Sequence, residues 1–359
     1  MEREKEPFVN VGVIRNANFT KDITLDFSKI EYLNVEERQY QKRKLQKGDL
    51  IVEKSGGSEK QPVGRTVLFN AEGEFSVSNF TSILRINNQN EITPEFLYKY
   101  LLYIYREGWT KEMQNATTGI HNIIFEKFLA ISIPVPPLSD QQRIVSYLDA
   151  EFAKIEALKA NAEKQLQAAK DLFQAALKEL LTPKEGWVEK KLVEEFSLKS
   201  GDYLPTKEQK EGTIPVYGGN GITGYHNLYN LSGEQILIGR VGALCGNIHY
   251  VNENIWVTDN AFVLTNISES WYKLFLVYEL GYLNLNQFAS QTAQPVISNK
   301  SMKDVIIAQP HLSEQQRIAD RLDALSANVK ALQTNYTETI TLCNDLKQAL
   351  LKKVFEEDG

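Results

Sequence analysis

Two sets of side chains in this 359-residue chain have the types and the loop settings for recognition chemistry. In residues 1–137 they are Lys54, Ser55, Lys60, Arg65, Ser78, Asn79, Thr117, Thr118, His121 and Asn122. In residues 187–311 they are Tyr217, Asn220, Thr223, Tyr225, Arg240, Asn260, Gln291, Thr292 and Gln294. An arginine fork can bridge guanine O6 and N7, and an asparagine or glutamine amide can bridge adenine N6 and N7. Lysine, serine and threonine hold phosphates. Taken singly, each of these residues serves more often as a turn former or a solvated loop group, and Gly219-Asn220-Gly221 and 239–242 read equally as simple turns. The collection, not any member, points to nucleic acid.

Bond-making chemistry is harder to find. Residues 135–138 (VPPL) lack the polar residue and the aromatic of an [N/D]-P-P-[Y/F] methyltransferase motif. Residues 54–58 (KSGGS) lack the lysine that a phosphate-binding loop places at its helix start. There is no G-x-S-x-G elbow. Cys245 and His249 sit four apart with His226 nearby, but three such residues in a β-rich region pack or hydrogen-bond more often than they bind zinc. The expectation is a chain with no catalytic residues and no metal of its own.

Composition narrows the setting. The net charge is −6, with 40 Lys+Arg against 46 Asp+Glu. Residues 1–137 hold 18 of each sign, and residues 187–311 hold 9 basic and 12 acidic. Neither half has the basic excess of a stand-alone nucleic-acid binder, so positive charge must be clustered locally or supplied by partners. There is no run of 18 apolar residues, which argues against a membrane span, and residues 1–10 lack the apolar core of a signal peptide. Two cysteines imply no disulfide framework and fit a reducing cytoplasm.

The elements that must position the loops declare themselves through a repeat. Residues 138–149 read LSDQQRIVSYLD and residues 312–323 read LSEQQRIADRLD, eight of twelve identical at an offset of 174. Residues 171–181 (DLFQAALKELL) and 345–355 (DLKQALLKKVF) match at six of eleven positions with the same offset. A constant offset over both segments indicates duplication. Each segment reads as a long helix. Ser139-x-x-Gln142 and Ser313-x-x-Gln316 predict capping boxes, with Pro136, Pro137 and Pro310 just before. Apolar residues then recur at mixed spacings of three and four: Ile144, Leu148, Phe152, Ile155, Leu158, Ala162, Leu166, Ala169, Phe173, Ala176 and Leu180, then Ile318, Leu322, Leu325, Val329, Leu332, Tyr336, Ile340, Leu346, Leu350 and Val354. That is a coiled-coil seam. Before each helix come short β-rich runs, at 50–53, 65–69, 75–86, 235–239, 248–251 and 257–264, with short helices expected at 94–105 and 270–282. The fold class is α+β: globe, rod, globe, rod.

This layout resembles the specificity subunits of type I restriction-modification systems. The resemblance is carried by the duplicated LSxQQRI helix start, by 186–192 (GWVEKKL), and by 214–225 (IPVYGGNGITGY), 238–246 (IGRVGALCG) and 257–262 (VTDNAF). In the first globe, 48–51 (GDLI) and 78–80 (SNF) occupy comparable places. The resemblance implies two α/β target-recognition domains, 1–137 and 187–311, alternating with two conserved spacer helices, 138–186 and 312–359. The helices are expected to pack as an antiparallel coiled coil, giving a pseudo-twofold internal repeat. A first-domain counterpart of residues 187–213 is expected to be missing. The implied function is reading a bipartite double-stranded DNA target and docking two methyltransferase subunits, and through them a restriction/translocase subunit. Gln142, Arg143, Gln316 and Arg317 are the expected partner-binding spacer residues. S-adenosylmethionine, ATP and Mg²⁺ would belong to partner subunits, none to this chain. Rival readings are the same role in a methylation-only system and a rod-shaped scaffold whose globes bind something other than DNA.

Overall fold

The computed structural model describes residues 7–117, 119–290 and 294–357. The chain forms two compact units: one from residues up to 163 together with those from 338 on, the other from 164–337. Thr118, Gln291 and Thr292 lie outside the described residues, as does the side chain of Thr117.

In the first unit the strand Leu50–Glu53 runs between Thr66–Leu68 and Thr81–Leu84, antiparallel to both. Its sequence, LIVE, is buried throughout. A strand covered on both faces reads as a continuous apolar run, and Glu53 is admitted because Arg65 takes both its oxygens, at 2.7 and 2.8 Å. A second sheet pairs Phe8–Ile14 with Glu31–Glu36 antiparallel and Phe75–Val77 parallel. A third joins Ser55–Gly57, Ile120–Ile123 and Gln114–Thr117. Helix Pro94–Arg106 begins with Pro94 in its first turn and with Thr93 as its cap, whose hydroxyl accepts from the Phe96 amide.

The second unit repeats this plan. Glu234–Gly239 lies centrally between Ala261–Thr265 and Ile248–Asn252. Ile214–Gly218 pairs with Gly221–His226 antiparallel and with Trp256–Val257 parallel. Helix Lys273–Tyr282 stands where Pro94–Arg106 does in the first unit. Two further strands fall in the stretch expected to lack a first-domain counterpart: Ser197–Ser200 extends the four-stranded sheet, and Val188–Lys191 pairs with Ile306–Gln309.

The long helices are Leu138–Leu181 and Leu312–Lys352. Each unit takes the start of one and the end of the other. In the first unit, Leu148 packs in one apolar cluster with Leu351 and Val354, and Lys347 reaches Glu156. In the second, Leu177, Leu180 and Leu181 cluster with Ile318, Ala319 and Leu322. Residue numbers rise on one helix as they fall on the other, so the pairing inside each unit is antiparallel. The buried row is heptad-spaced. Gln141, Leu148, Ile155, Ala162 and Ala169 are buried at intervals of seven, as are Gln315, Leu322, Val329 and, after half-buried Tyr336, Cys343. Leu158, Leu332 and Leu346, assigned to the seam from spacing, are instead exposed. They lie on the turn beside the seven-residue row, and counting threes and fours without its phase admits them.

The expected capping boxes do not form where sequence put them. The first helix starts at Leu138, with the Pro137 carbonyl accepting from the amides of Asp140 and Gln141. In the second, His311 plays that part for Glu314 and Gln315. Ser139 and Ser313 therefore sit inside the first turn rather than at the cap. The neighbouring glutamine does more. Gln141 Nε2 donates to the carbonyls of Glu91 and Pro136 at 2.7 and 2.8 Å, and Oε1 accepts from Thr93 N at 2.9 Å. Gln315 Nε2 donates to the carbonyls of Ser270 and Pro310 at 3.0 and 2.9 Å, and Oε1 accepts from Tyr272 N at 2.8 Å. One buried amide thus ties each long helix to the entrance of the short helix packed beside it, identically in both units.

Candidate nucleic-acid interface

The loops bearing the candidate residues rest on one backbone scaffold, built twice. In the first unit Lys54 N donates to the Phe80 carbonyl at 2.9 Å, and Ile123 N donates to the Lys54 carbonyl at 2.8 Å. In the second, Arg240 N donates to Asn260 O at 2.9 Å, and Ile297 N to Arg240 O at 2.8 Å. Ser78 N reaches Ile14 O at 3.0 Å, and Thr258 N reaches Tyr217 O at 2.9 Å. A hydroxyl meets the same carbonyl in each unit, from different positions: Thr81 Oγ1, three residues past Ser78, donates to Ile14 O, and Thr258 Oγ1 itself donates to Tyr217 O. Lys54 thus corresponds to Arg240, Ser78 to Thr258, Phe80 to Asn260 and Asn122 to Val296. Of these pairs, only Lys54 and Arg240 are candidates in both halves.

In the second unit these loops line a cleft of about 380 Å³, whose walls include Gln209, Asn220, Thr223, Thr258, Asn260 and Gln294. Its polar lining is amide and hydroxyl, beside Leu204, Pro205 and Val241, and no lining side chain is ionised. Asn220 Oδ1 accepts from Asn247 Nδ2 at 3.2 Å, and Thr223 Oγ1 donates to Val216 O at 3.2 Å. Gly219 is required here, because a Cβ would come within 2.2 Å of the Val241 carbonyl. Tyr225 is exposed on the adjacent strand. Tyr217 is not offered to solvent; it is buried against His249, with ring centroids 5.9 Å apart, and burial raises its phenol and holds the His249 imidazole below the ordinary range. The Arg240 fork is partly engaged. Its Nη1 donates to Ser200 Oγ at 3.3 Å and to Asp259 O at 3.2 Å, and the guanidinium lies 5.1 Å from the Phe262 ring centre.

In the first unit, Ser55 Oγ donates to Asn122 Oδ1 at 2.6 Å across paired strands, with His121 alongside, half-buried. Lys60 is exposed in the bend that follows Ser55–Gly57. Ser78 caps its own turn, accepting from Phe80 N at 3.2 Å. Asn79 is exposed, but its Oδ1 accepts from Arg43 Nη1 at 2.6 Å. Arg65 departs from the sequence expectation most plainly: buried, paired with Glu53 and lying over Phe19, its fork is consumed by the core. Phe80, absent from the candidate residues, stands 51% exposed at the centre of this group. The expected spacer residues Gln142, Arg143, Gln316 and Arg317 all lie on the exposed helix surface, with matched pairs Arg143–Asp140 at 3.3 Å and Arg317–Glu314 at 3.4 Å.

His226 Nδ1 accepts from Lys210 N, and Cys245 Sγ accepts from Asn286 Nδ2. Among the described residues no three His, Cys, Asp or Glu side chains converge on a point, and no helix is long and apolar enough to cross a membrane.

Two paired-helix units on a duplicated loop scaffold define a class, and comparison gives it a name. The type I restriction modification DNA specificity domain matches residues 2–168 and 184–342, and the chain belongs to that family. The EcoprrI specificity subunit of Escherichia coli is 31% identical over 61% of this chain; the match spans 60% of that relative's length. The StySPI specificity subunit of Salmonella potsdam is 24% identical, covering 97% of this chain and 81% of its own. Among solved structures, a chain from a study of complex assembly and conformational transition of the type I R-M system superposes with a TM-score of 0.77 at 20% identity, covering 98% of this chain and 93% of its own. The HsdS subunit of Thermoanaerobacter tengcongensis gives 0.59 at 21% identity, covering 98% and 92%. These structural likenesses establish the shared fold.

Proposed function

We propose that this chain is the DNA-specificity subunit of a type I restriction-modification complex. The first unit reads one half of a bipartite target and the second reads the other. Two methyltransferase subunits dock on the exposed faces of the long helices around Gln142–Arg143 and Gln316–Arg317, and a restriction/translocase subunit joins through them. Methylation and cleavage belong to those partners, with S-adenosylmethionine, ATP and Mg²⁺, and the assembly works on cytoplasmic DNA. The observation supporting this is the matched scaffold that carries Lys54 and Phe80 in one unit and Arg240 and Asn260 in the other. Two readers on one plan suit a target of two parts with unrelated sequences, because the scaffold is held constant while its exposed side chains differ.

The test is methylome sequencing of a host with and without the chain, its methyltransferase present in both. A methylated motif of two short sequences with a fixed gap, present only with this chain, is the expected result. Methylation that does not depend on the chain, or a single undivided motif, would overturn the reading.

A further inference from the structure

We infer that Phe80 is a specificity-determining residue of the first unit: it reads a thymine through the base's methyl group, at the scaffold position where Asn260 of the second unit reads its base by hydrogen bonding. The inference rests on the proposed function. It begins from the equivalence of the two positions. Each residue gives its carbonyl to the amide of a basic residue, Phe80 to Lys54 and Asn260 to Arg240, and each stands at the turn entering the next strand, Thr81–Leu84 or Ala261–Thr265. Asn260 is exposed on the wall of the amide-rich cleft, with its side chain making no hydrogen bond among the described residues. An amide so placed suits an adenine edge.

A phenylalanine in the same place has no hydrogen bond to offer. Its ring is 51% exposed, which is costly for an aromatic in water. It is held where it is, not loosely displayed. Its amide donates to Ser78 Oγ, and its carbonyl accepts from both Lys54 and Ser55. Gly56, at φ +105°, lies alongside, where an added Cβ would come to 4.0 Å from the ring. The neighbouring polar groups are already used: Asn79 by Arg43, and Ser55 and Asn122 by each other. What this surface offers a DNA groove is an exposed apolar ring on a backbone held by three hydrogen bonds. The apolar feature of the major-groove code is the thymine methyl.

The experiment is methylome sequencing with the full chain and its methyltransferase, comparing wild type with Phe80→Ala, Phe80→Leu and Asn260→Ala. Asn260→Ala marks which half-site belongs to the second unit. The wild-type half-site of the first unit should contain a thymine whose preference falls about fourfold in Phe80→Ala, the worth of one methyl group removed from water. Phe80→Leu should keep it, and the second half-site should not change. An unchanged motif in Phe80→Ala overturns the inference. So does uniform weakening with no base relaxed, which is the mark of a wedge between base steps. Loss of all methylation together with a lowered melting temperature in both Phe80 variants would also overturn it, by making the ring structural. If wild type itself directs no two-part motif, it is the proposed function that fails.

Discussion

The smallest part with the largest structural consequence is a single amide, present twice. Gln141 and Gln315 are fully buried, and each makes three hydrogen bonds to backbone. Truncation leaves a buried N–H and two carbonyls without partners, so Gln141→Ala and Gln315→Ala should each cost about 3 kcal/mol. Denaturant melts should show similar losses for the two; a loss below about 1 kcal/mol in either would contradict the clamp. The sequence displayed this pair but disguised its role. In LSxQQRI the serine and second glutamine fit a capping box, so Gln142 and Gln316 drew the attention. The discriminating signal is the interval of seven, which places the first glutamine on the row of Leu148 and Ile155. Arg65 misled for another reason: loop position was legible, but its bond to Glu53, twelve residues earlier, was not. A buried acid was equally hidden. Glu279 is 2% exposed, with Oε1 accepting from Ala308 N, and burial pushes its carboxyl up to about 7. The folded state thus binds its proton more tightly than the unfolded chain does. That contribution is full below the unfolded value near 4.5 and is lost as pH rises through about 7. Glu279→Gln, a permanent mimic of the protonated form, should flatten this dependence and raise stability at pH 8 by about 2–3 kcal/mol. Parallel pH curves for mutant and wild type would count against it.

At the scale of elements, the long helices were legible almost to their ends, because heptad periodicity survives any tertiary context. The phase of the seam was less so. Leu148 is fully buried while Leu158 is 51% exposed, although both fit a pattern of threes and fours. Leu148→Ala should therefore cost about 2–5 kcal/mol and Leu158→Ala under about 1 kcal/mol. Equal losses on thermal melting would place Leu158 in the seam after all. Some strands, such as Leu50–Glu53 and Ile248–Asn252, were legible as runs of β-branched and aromatic residues, whereas others, Phe8–Ile14 and Glu31–Glu36 among them, were not. Their pairing was not, since Phe8–Ile14 pairs with Phe75–Val77 more than sixty residues away. The loop scaffold was hidden for the same reason. Only the hydrogen bonds show that Lys54 and Arg240, 186 residues apart, occupy one scaffold position, because loop lengths differ between the repeats.

For the molecule as a whole, net charge sets an expectation that fold does not. A chain at −6 has no net excess of positive charge with which to neutralise phosphates, the source of non-specific affinity. Alone it should bind its target weakly, and methyltransferase partners should tighten binding by several orders of magnitude; nanomolar binding by the isolated chain at physiological salt would refute this. If the helices set the gap between half-sites, a heptad added to each, after Ala162 and after Tyr336, lengthens each by about 10 Å at 1.5 Å per residue. The gap should then grow by about three base pairs with both half-site sequences intact. A methylome showing the original gap would separate the helices from that role.

The first unit draws on both ends of the chain: Leu351 and Val354 complete the apolar cluster that holds Ile14, Ile51 and Tyr100. On the ribosome this reverses the usual order of domain maturation. Residue 163 emerges long before residue 338, and at about 5–20 residues per second the wait is about 10–35 seconds. Through that interval the earliest-made unit stands open along the groove its last helix will fill. It is the later of the two units to close its apolar core.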